Sequence, residues 1–264
     1  MNIIRQETKL RIKSWIIWAL SLSVFIVIIL TEFSAYKNNP ELLEILDAFP
    51  IEMLKAFGLT GANLTTVGGF VSVTMVYMQI MASVYAVMLG ADLIAAEHKN
   101  KTTEFIFVVP RTRKQLLVFK AVAGIVLCVM MSVFIHGAIL LGTMHYEPET
   151  DYYRFLLFST IALVILMVVF MFVGFLLAAI LPRPKQATLL GPILVFAGYI
   201  LAVFVDLVDT IDWMKWLTPL SYFRSSDILE KASLSMVNVV VSLLIMMICG
   251  GLAIHRYQHK DIPL

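Results

Sequence analysis

The sequence has 264 residues, of which 60% are hydrophobic and only 14% are charged. Soluble domains usually carry about 45–50% apolar and about 25% charged residues. So apolar a chain cannot cover its own surface with polar groups, and the composition therefore excludes an ordinary soluble domain and indicates a protein surrounded by lipid. The net charge of +2 is too small to predict a nucleic-acid partner.

Long stretches without Asp, Glu, Lys or Arg predict six membrane-spanning helices. A helix needs about 20 apolar residues to cross a bilayer core of about 30 Å, and the stretches lack the alternation that is typical of barrel strands. We therefore expect an all-α integral membrane protein, with a single transmembrane domain over residues 1–264. The predicted spans cover approximately residues 14–33, 69–95, 117–142, 155–181, 187–206 and 233–254.

Lys and Arg are concentrated in alternate loops, which predicts the orientation. With the N-terminus inside, the inner segments hold 14 of the 20 Lys and Arg residues. The positive-inside rule then places both termini and the loop 96–120 in the cytoplasm, and the loops 32–68, 143–154 and 206–231 outside. A basic, amphipathic N-terminal segment leads into the first span, which we interpret as retained rather than as a cleaved signal peptide.

The largest cytoplasmic loop, at residues 95–120, joins the second and third spans. As a helix that extends the second span, it places Glu97, Lys101 and Glu104 on one face. Pro110 ends this helix, because the residue before a proline is disfavoured in the α region. The residues expected to follow at the inner lipid surface are Arg113, Lys114 and Lys120. The loop therefore predicts a charged elbow that is suited to receive a push from a soluble partner.

The pattern of this loop resembles that of type-2 ABC exporter permeases. In that family a Glu precedes a Gly-Thr-x-Glu stretch, an apolar run, Pro-x-x-Arg and a Lys that opens the third span. Lys101 stands where the family usually has Gly, and the segments LTPLSYF (217–223) and YQHKDI (257–262) are similar to family endings. The matching residues, to which the resemblance assigns coupling to an ATPase, are Glu97, Thr102, Glu104, Pro110, Arg113 and Lys120. Without the resemblance, a basic inner loop with a proline turn is common in membrane proteins.

The resemblance implies a division of labour between chains. Two six-helix permeases, identical or paralogous, pair around a translocation path, and cytoplasmic ABC ATPase subunits dock on their inner loops. The chain has no G-x-x-x-x-G-K-[ST] sequence, the loop that cradles ATP phosphates, so we expect no catalytic residue, metal or cofactor in it. ATP and magnesium are expected in the partner ATPase. The implied cargo is a hydrophobic or amphipathic peptide, bacteriocin, drug or lipid, and the implied location is a bacterial plasma membrane.

Two other classes of function remain as alternatives, an ion-coupled secondary transporter and a non-transporting membrane anchor or sensor. A secondary transporter would need broken helices at matching positions of two repeats and buried charges for the coupling ion. Asp92 lies near the end of a span, where a structural role is favoured. His136 lies inside the third span and is predicted to form an interhelical hydrogen bond.

The second span carries a stripe of small and mildly polar residues at helical spacing. Ser72, Gln79 and Ser83 belong to this stripe, and Met75 and Met78 lie on a neighbouring one. One interpretation is packing, because small residues let a neighbouring helix approach closely. The other is a translocation path, in which unbranched methionines adapt to varied apolar shapes and Gln79 offers hydrogen bonds. The sequence leaves both interpretations open.

Overall fold

The computed structural model describes residues 3–37, 39, 41, 48–59, 63–99, 113–182 and 184–258. Within these ranges the chain is helical and contains no β-strand. The prediction of six helices long and apolar enough to cross a bilayer is confirmed. In chain order, the helices are α1 (Ile3–Tyr36), α2 (Ile51–Ala56), α3 (Val67–Lys99), α4 (Arg113–Thr143), α5 (Thr150–Ile180), α6 (Pro184–Leu207), α7 (Ser225–Lys231) and α8 (Met236–Gln258). The short helices are α2 and α7, and the other six contain the candidate spans.

The basic N-terminal segment and the first predicted span form one continuous helix. α1 has 34 residues and is therefore about 50 Å long at 1.5 Å per residue. The helix is therefore longer than the bilayer core, which is about 30 Å thick. The first turns of α1, which carry Glu7 and Arg11, therefore extend past the apolar stretch towards the end of the bundle where α3 ends and α4 begins.

α3 and α5 form the centre of the helix bundle. In the most apolar window of each helix, 78% of the residues are buried in α3 and 61% in α5, but only 17% in α8. A helix that is hydrophobic all round is typically buried, which is the case for this central pair. α1 packs mainly against α4, while α6 and α8 flank the centre. The outward faces of these peripheral helices expose apolar side chains such as Ile17, Ile193 and Met247, as lipid contact requires.

The backbones of α3 and α5 touch where Gly90 and Gly174 meet. A Cβ atom on Gly90 would lie 1.9 Å from the carbonyl oxygen of Met171, and one on Gly174 would lie 2.0 Å from that of Val87. Both distances are far below van der Waals contact, so only glycine fits at either position. Small residues allow such close approach of membrane helices. We call this contact the glycine crossing.

His136 of α4 makes a polar contact with α5 within the membrane-spanning region. The Nδ1 atom of His136 lies 2.7 Å from the Oγ1 atom of Thr160. The prediction of an interhelical hydrogen bond for His136 is thereby confirmed.

Residues 208–235, which we call the return segment, fold back over the end of α6. The segment contains two 3₁₀ helices, at Asp209–Leu217 and Pro219–Ser221, and then α7. The hydroxyl of Thr218 donates a hydrogen bond of 2.8 Å to the carbonyl oxygen of Gly198 in α6. Trp213 and Trp216 are 64% and 45% exposed, and exposed tryptophans of this kind favour the membrane–water interface.

Candidate functional site

The loop predicted to couple to an ATPase lies largely outside the described residues. Thr102, Glu104 and Pro110 fall there, as do the side chains of Glu97 and Arg113. The structure places the helix ends on either side, since α3 ends at Lys99 and α4 begins at Arg113. The coupling role of these residues therefore stays a prediction, and both helix ends that flank the loop lie within the described residues.

Four charged side chains meet where the roots of this loop join α1, and we call them the ion-pair cluster. They are Glu7, Arg11, Asp92 and Lys120. Arg11 forms an ion pair with Glu7 one turn away, and its Nε atom lies 3.2 Å from Oδ2 of Asp92. The Nζ atom of Lys120 lies 3.8 Å from Oε1 of Glu7. Two cations thus face two carboxylates, so the formal charges cancel.

Lys120 is buried, so the expectation that it lies at the inner lipid surface is wrong. Its side chain is 2% exposed. Lys114, which lies six residues earlier on a different face of α4, is exposed. The reason is that groups inside the helix bundle stabilise the charge of Lys120. Its ammonium lies near the carboxylate of Glu7 and donates a hydrogen bond of 2.8 Å to the carbonyl oxygen of Leu93. A charged group is stable in a low-dielectric interior only when it is paired and hydrogen-bonded.

The cluster also holds the backbone of α3. The guanidinium of Arg11 donates a hydrogen bond of 3.2 Å to the carbonyl oxygen of Asp92, next to the carbonyl of Leu93 that Lys120 contacts. Charge-assisted hydrogen bonds are stronger than neutral ones. Asp92 precedes the 100–112 connection between α3 and α4, and Lys120 follows it, so the cluster joins the helix ends on both sides of the connection to α1.

A second group of charged residues lies in the part of the bundle where the return segment packs, and it lines a cavity of about 220 Å³. We call this the polar cavity. Its charged residues are Lys55 of α2, Asp206 of α6 and Arg224 of the return segment. Arg224 forms an ion pair with Asp206, and Lys55 donates a hydrogen bond of 2.6 Å to the Asp206 carbonyl oxygen. Burial lowers the pKa of Arg224, while the carboxylate of Asp227 raises it. The ordinary pKa of a guanidinium is so high that Arg224 stays charged.

The family of the chain follows from its whole length. The model of the ABC-2 family transporter proteins matches residues 1–262, which include all six candidate spans, the ion-pair cluster and the polar cavity. The chain belongs to the ABC-2 transporter family. It is therefore a multi-pass membrane permease of an ABC transporter. The family is a transport domain that does not itself bind nucleotide, and membership implies a separate ATPase partner. No curated protein matches the chain.

The stripe of the second span lies mostly inside this ABC-2 permease. The buried side chains of the two stripes are Ser72, Met75, Met78, Gln79 and Ser83. Gln79 donates a hydrogen bond of 2.8 Å to the carbonyl oxygen of Phe223 and also lines the polar cavity. Burial within one chain favours the packing interpretation for the serines and methionines. The position of Gln79 beside a cavity keeps its role in a translocation path as a prediction.

Sequence reasoning did not identify Glu7, Arg11, Lys55 or Arg224 as site residues. A signal existed for the first pair, because an acidic and a basic residue four positions apart face each other on a helix. No comparable local pattern exists for Lys55 and Arg224, which are 169 positions apart in the sequence (224 − 55).

Proposed function

We propose that this ABC-2 permease forms half of the translocation unit of an ATP-driven exporter in a bacterial plasma membrane. The family match over residues 1–262 is the observation that carries the proposal. A second permease, identical or paralogous, completes the unit, and separate cytoplasmic ABC ATPase subunits supply ATP and magnesium. Both termini and the loop 96–120 lie in the cytoplasm, which the bias of Lys and Arg towards these segments supports.

The ion-pair cluster supports a route by which ATP hydrolysis moves the helices. The elbow residues Glu97, Glu104 and Arg113 contact the ATPase, because oppositely charged groups at an interface give orientation as well as affinity. Force on the elbow reaches α3 and α4 at its two roots. Since Asp92 is paired with Arg11 and Lys120 with Glu7, α1 follows the same movement.

The cargo is a hydrophobic or amphipathic molecule. In this proposal it passes along the seam between two permeases, and Gln79 provides hydrogen bonds in an otherwise apolar wall. The apolar outer faces of α1, α6 and α8 offer surface for lipid and for the second permease. A solute with an apolar part can enter such a path from the bilayer.

The experiment that tests coupling uses charge reversal in the elbow. The permease is co-expressed with its partner ATPase, and the complex is purified and reconstituted in vesicles. Glu97→Lys combined with Glu104→Lys should insert normally but reduce permease-stimulated ATP hydrolysis roughly tenfold, equivalent to about 1.4 kcal/mol of coupling. Glu230→Lys, an exposed reversal in α7, is the matched control and should leave the rate unchanged.

Two results would contradict the proposal. If the double reversal hydrolyses ATP and transports at the wild-type level, the elbow does not couple. If cargo movement instead follows an imposed proton gradient and ignores ATP, the permease works as an ion-coupled transporter.

A further inference from the structure

The polar cavity has an apolar wall and a charged rim. The wall is built from Val76 and Ile80 of α3 together with Val203 of α6, and these helices continue into the bilayer. The rim carries the ammonium of Lys55 and the guanidinium of Arg224. Sites that are mostly apolar, with a few convergent polar groups, are typical of small-molecule binding. A ligand with one apolar and one polar part matches this lining.

The rim carries an excess of positive charge. Arg224 is paired with the carboxylate of Asp206, so these two charges cancel. Lys55 has no carboxylate partner among the described residues, and it donates a hydrogen bond only to the Asp206 carbonyl oxygen. An ammonium has three donor hydrogens, so two remain for a ligand. The lining of this cavity therefore has a net charge of +1 and favours an anion.

Two serine hydroxyls beside this charge have no hydrogen-bond partner in the described part of the chain. They are Ser221 Oγ and Ser225 Oγ; both atoms are buried, and both residues line the polar cavity. Buried side-chain polar atoms nearly always have a partner, so these hydroxyls are available to one. With Lys55 and Arg224 they form a set of four donor groups. A phosphate, with several acceptor oxygens, satisfies more of this set than a carboxylate does.

The size and position of the polar cavity fit a head group rather than a whole molecule. Its volume of about 220 Å³ is below the roughly 300–1,000 Å³ of pockets for drug-sized ligands. The exposed tryptophans Trp213 and Trp216 of the return segment indicate that this end of the bundle lies at the membrane–water interface. That is the depth at which lipid head groups lie, and the chains of such a ligand would remain along α3 and α6.

We propose that the polar cavity binds the phosphate-bearing head group of a membrane amphiphile. Lys55 provides the main charge, Ser221 and Ser225 donate hydrogen bonds, and Arg224 is held in place by Asp206. The inference concerns binding by the permease alone and does not depend on coupling to an ATPase.

The test is a calorimetric titration that measures binding of each probe to the purified permease in detergent. The probes are dioctanoyl phosphatidic acid, dioctanoylglycerol with the same chains but no phosphate, and inorganic phosphate. We expect the phosphatidic acid to bind and dioctanoylglycerol not to bind. Lys55→Gln should weaken binding of the phosphatidic acid roughly tenfold, while Lys55→Arg, which keeps the charge, should retain it. Lys231→Gln removes an exposed lysine of α7 that does not line the cavity, and it should bind like the wild type.

The outcomes separate the sources of the phosphate and the competing explanations. Inorganic phosphate that binds as tightly as the lipid would support the anion site and identify a free anion as its ligand. Equal binding of dioctanoylglycerol, or unchanged binding by Lys55→Gln, would overturn the proposal. If Lys55→Gln does not fold, Ser221→Ala with Ser225→Ala serves instead, and wild-type affinity there would equally overturn it. Failure of ATPase stimulation leaves these measurements unaffected, so the two proposals fail separately.

Discussion

Replacing Arg11 by Met should destabilise the ABC-2 permease by about 2–3 kcal/mol. Methionine keeps most of the apolar stem that a buried arginine packs, so the change removes mainly the charge. Removal of one partner of a buried ion pair costs about 3–5 kcal/mol. Here the cost is at or below the lower limit, because Glu7 keeps Lys120 at 3.8 Å and Asp92, whose side chain is 48% exposed, can be hydrated.

The measurement is the melting temperature in detergent, read as the loss of folded protein in size-exclusion chromatography. The melting temperature of domains of 150–250 residues changes by roughly 2–4 °C per kcal/mol, so Arg11→Met should melt about 4–12 °C lower. Arg5→Met, an exposed change on the same helix, is the control and should stay within about 0.5 kcal/mol of the wild type. In the double variant of Arg11→Met and Glu7→Gln, the loss of stability should differ from the sum of the two single losses by at least about 1 kcal/mol.

Two results would refute this reasoning. An Arg11→Met variant that melts with the wild type would mean that the charge contributes nothing to stability. Additive losses in the Arg11→Met and Glu7→Gln double variant would mean that the two side chains do not interact in the membrane protein.

A smaller loss of stability for Asp92→Asn than for Glu7→Gln is expected, because Asp92 is the more exposed carboxylate.

Three further predictions concern the core, the topology and the translocation path. Gly90→Ala should destabilise the protein by about 3 kcal/mol or more, at or above the usual upper limit for overpacking, because the added Cβ meets a backbone oxygen. Gly137→Ala, where an added Cβ meets nothing within 4 Å, should be tolerated, and equal melting of both variants would contradict the glycine crossing. In a variant without the two native cysteines, a cysteine at position 100 should react with impermeant reagent only in broken cells, and labelling of intact cells would reverse the topology. Gln79→Leu should change which compounds are exported while folding is preserved, and an unchanged export profile with unchanged ATPase stimulation would end the path hypothesis for this span.

The number of spans was predictable because a bilayer tolerates few unpaired charges, so the chain has to carry long uncharged stretches. The ion-pair cluster was not, because its contacts join residues up to 113 positions apart, from Glu7 to Lys120 (120 − 7). The placement of Lys120 at the lipid surface followed from a rule about basic residues near span ends. That rule does not anticipate a carboxylate supplied by another helix, which is what draws Lys120 inside.

The polar cavity was predictable only in part. The sequence places Gln79 on the small and mildly polar stripe of the second span, and this residue lines the cavity. Lys55 and Arg224 lie in segments that the sequence marked only as outer loops, where charged residues are ordinary. The glycine crossing was not predictable, since a single glycine in an apolar helix has the same sequence context whether it contacts a backbone or lipid.

The glycine crossing limits the degrees of freedom of the permease. Interfaces built from interdigitated side chains can slide by small shear motions, but backbones in direct contact have no such layer to rearrange. We therefore expect α3 and α5 not to slide past each other at this point, and α3 alone, with 33 residues, is about 50 Å long. Under the proposed coupling to an ATPase, a tilt imposed at Lys99 would be transmitted to the far end of the bundle, and the bending would then have to occur in a peripheral helix. Among the described helices, α6 offers a place for it at Pro192, since an internal proline removes a backbone hydrogen bond and kinks the helix.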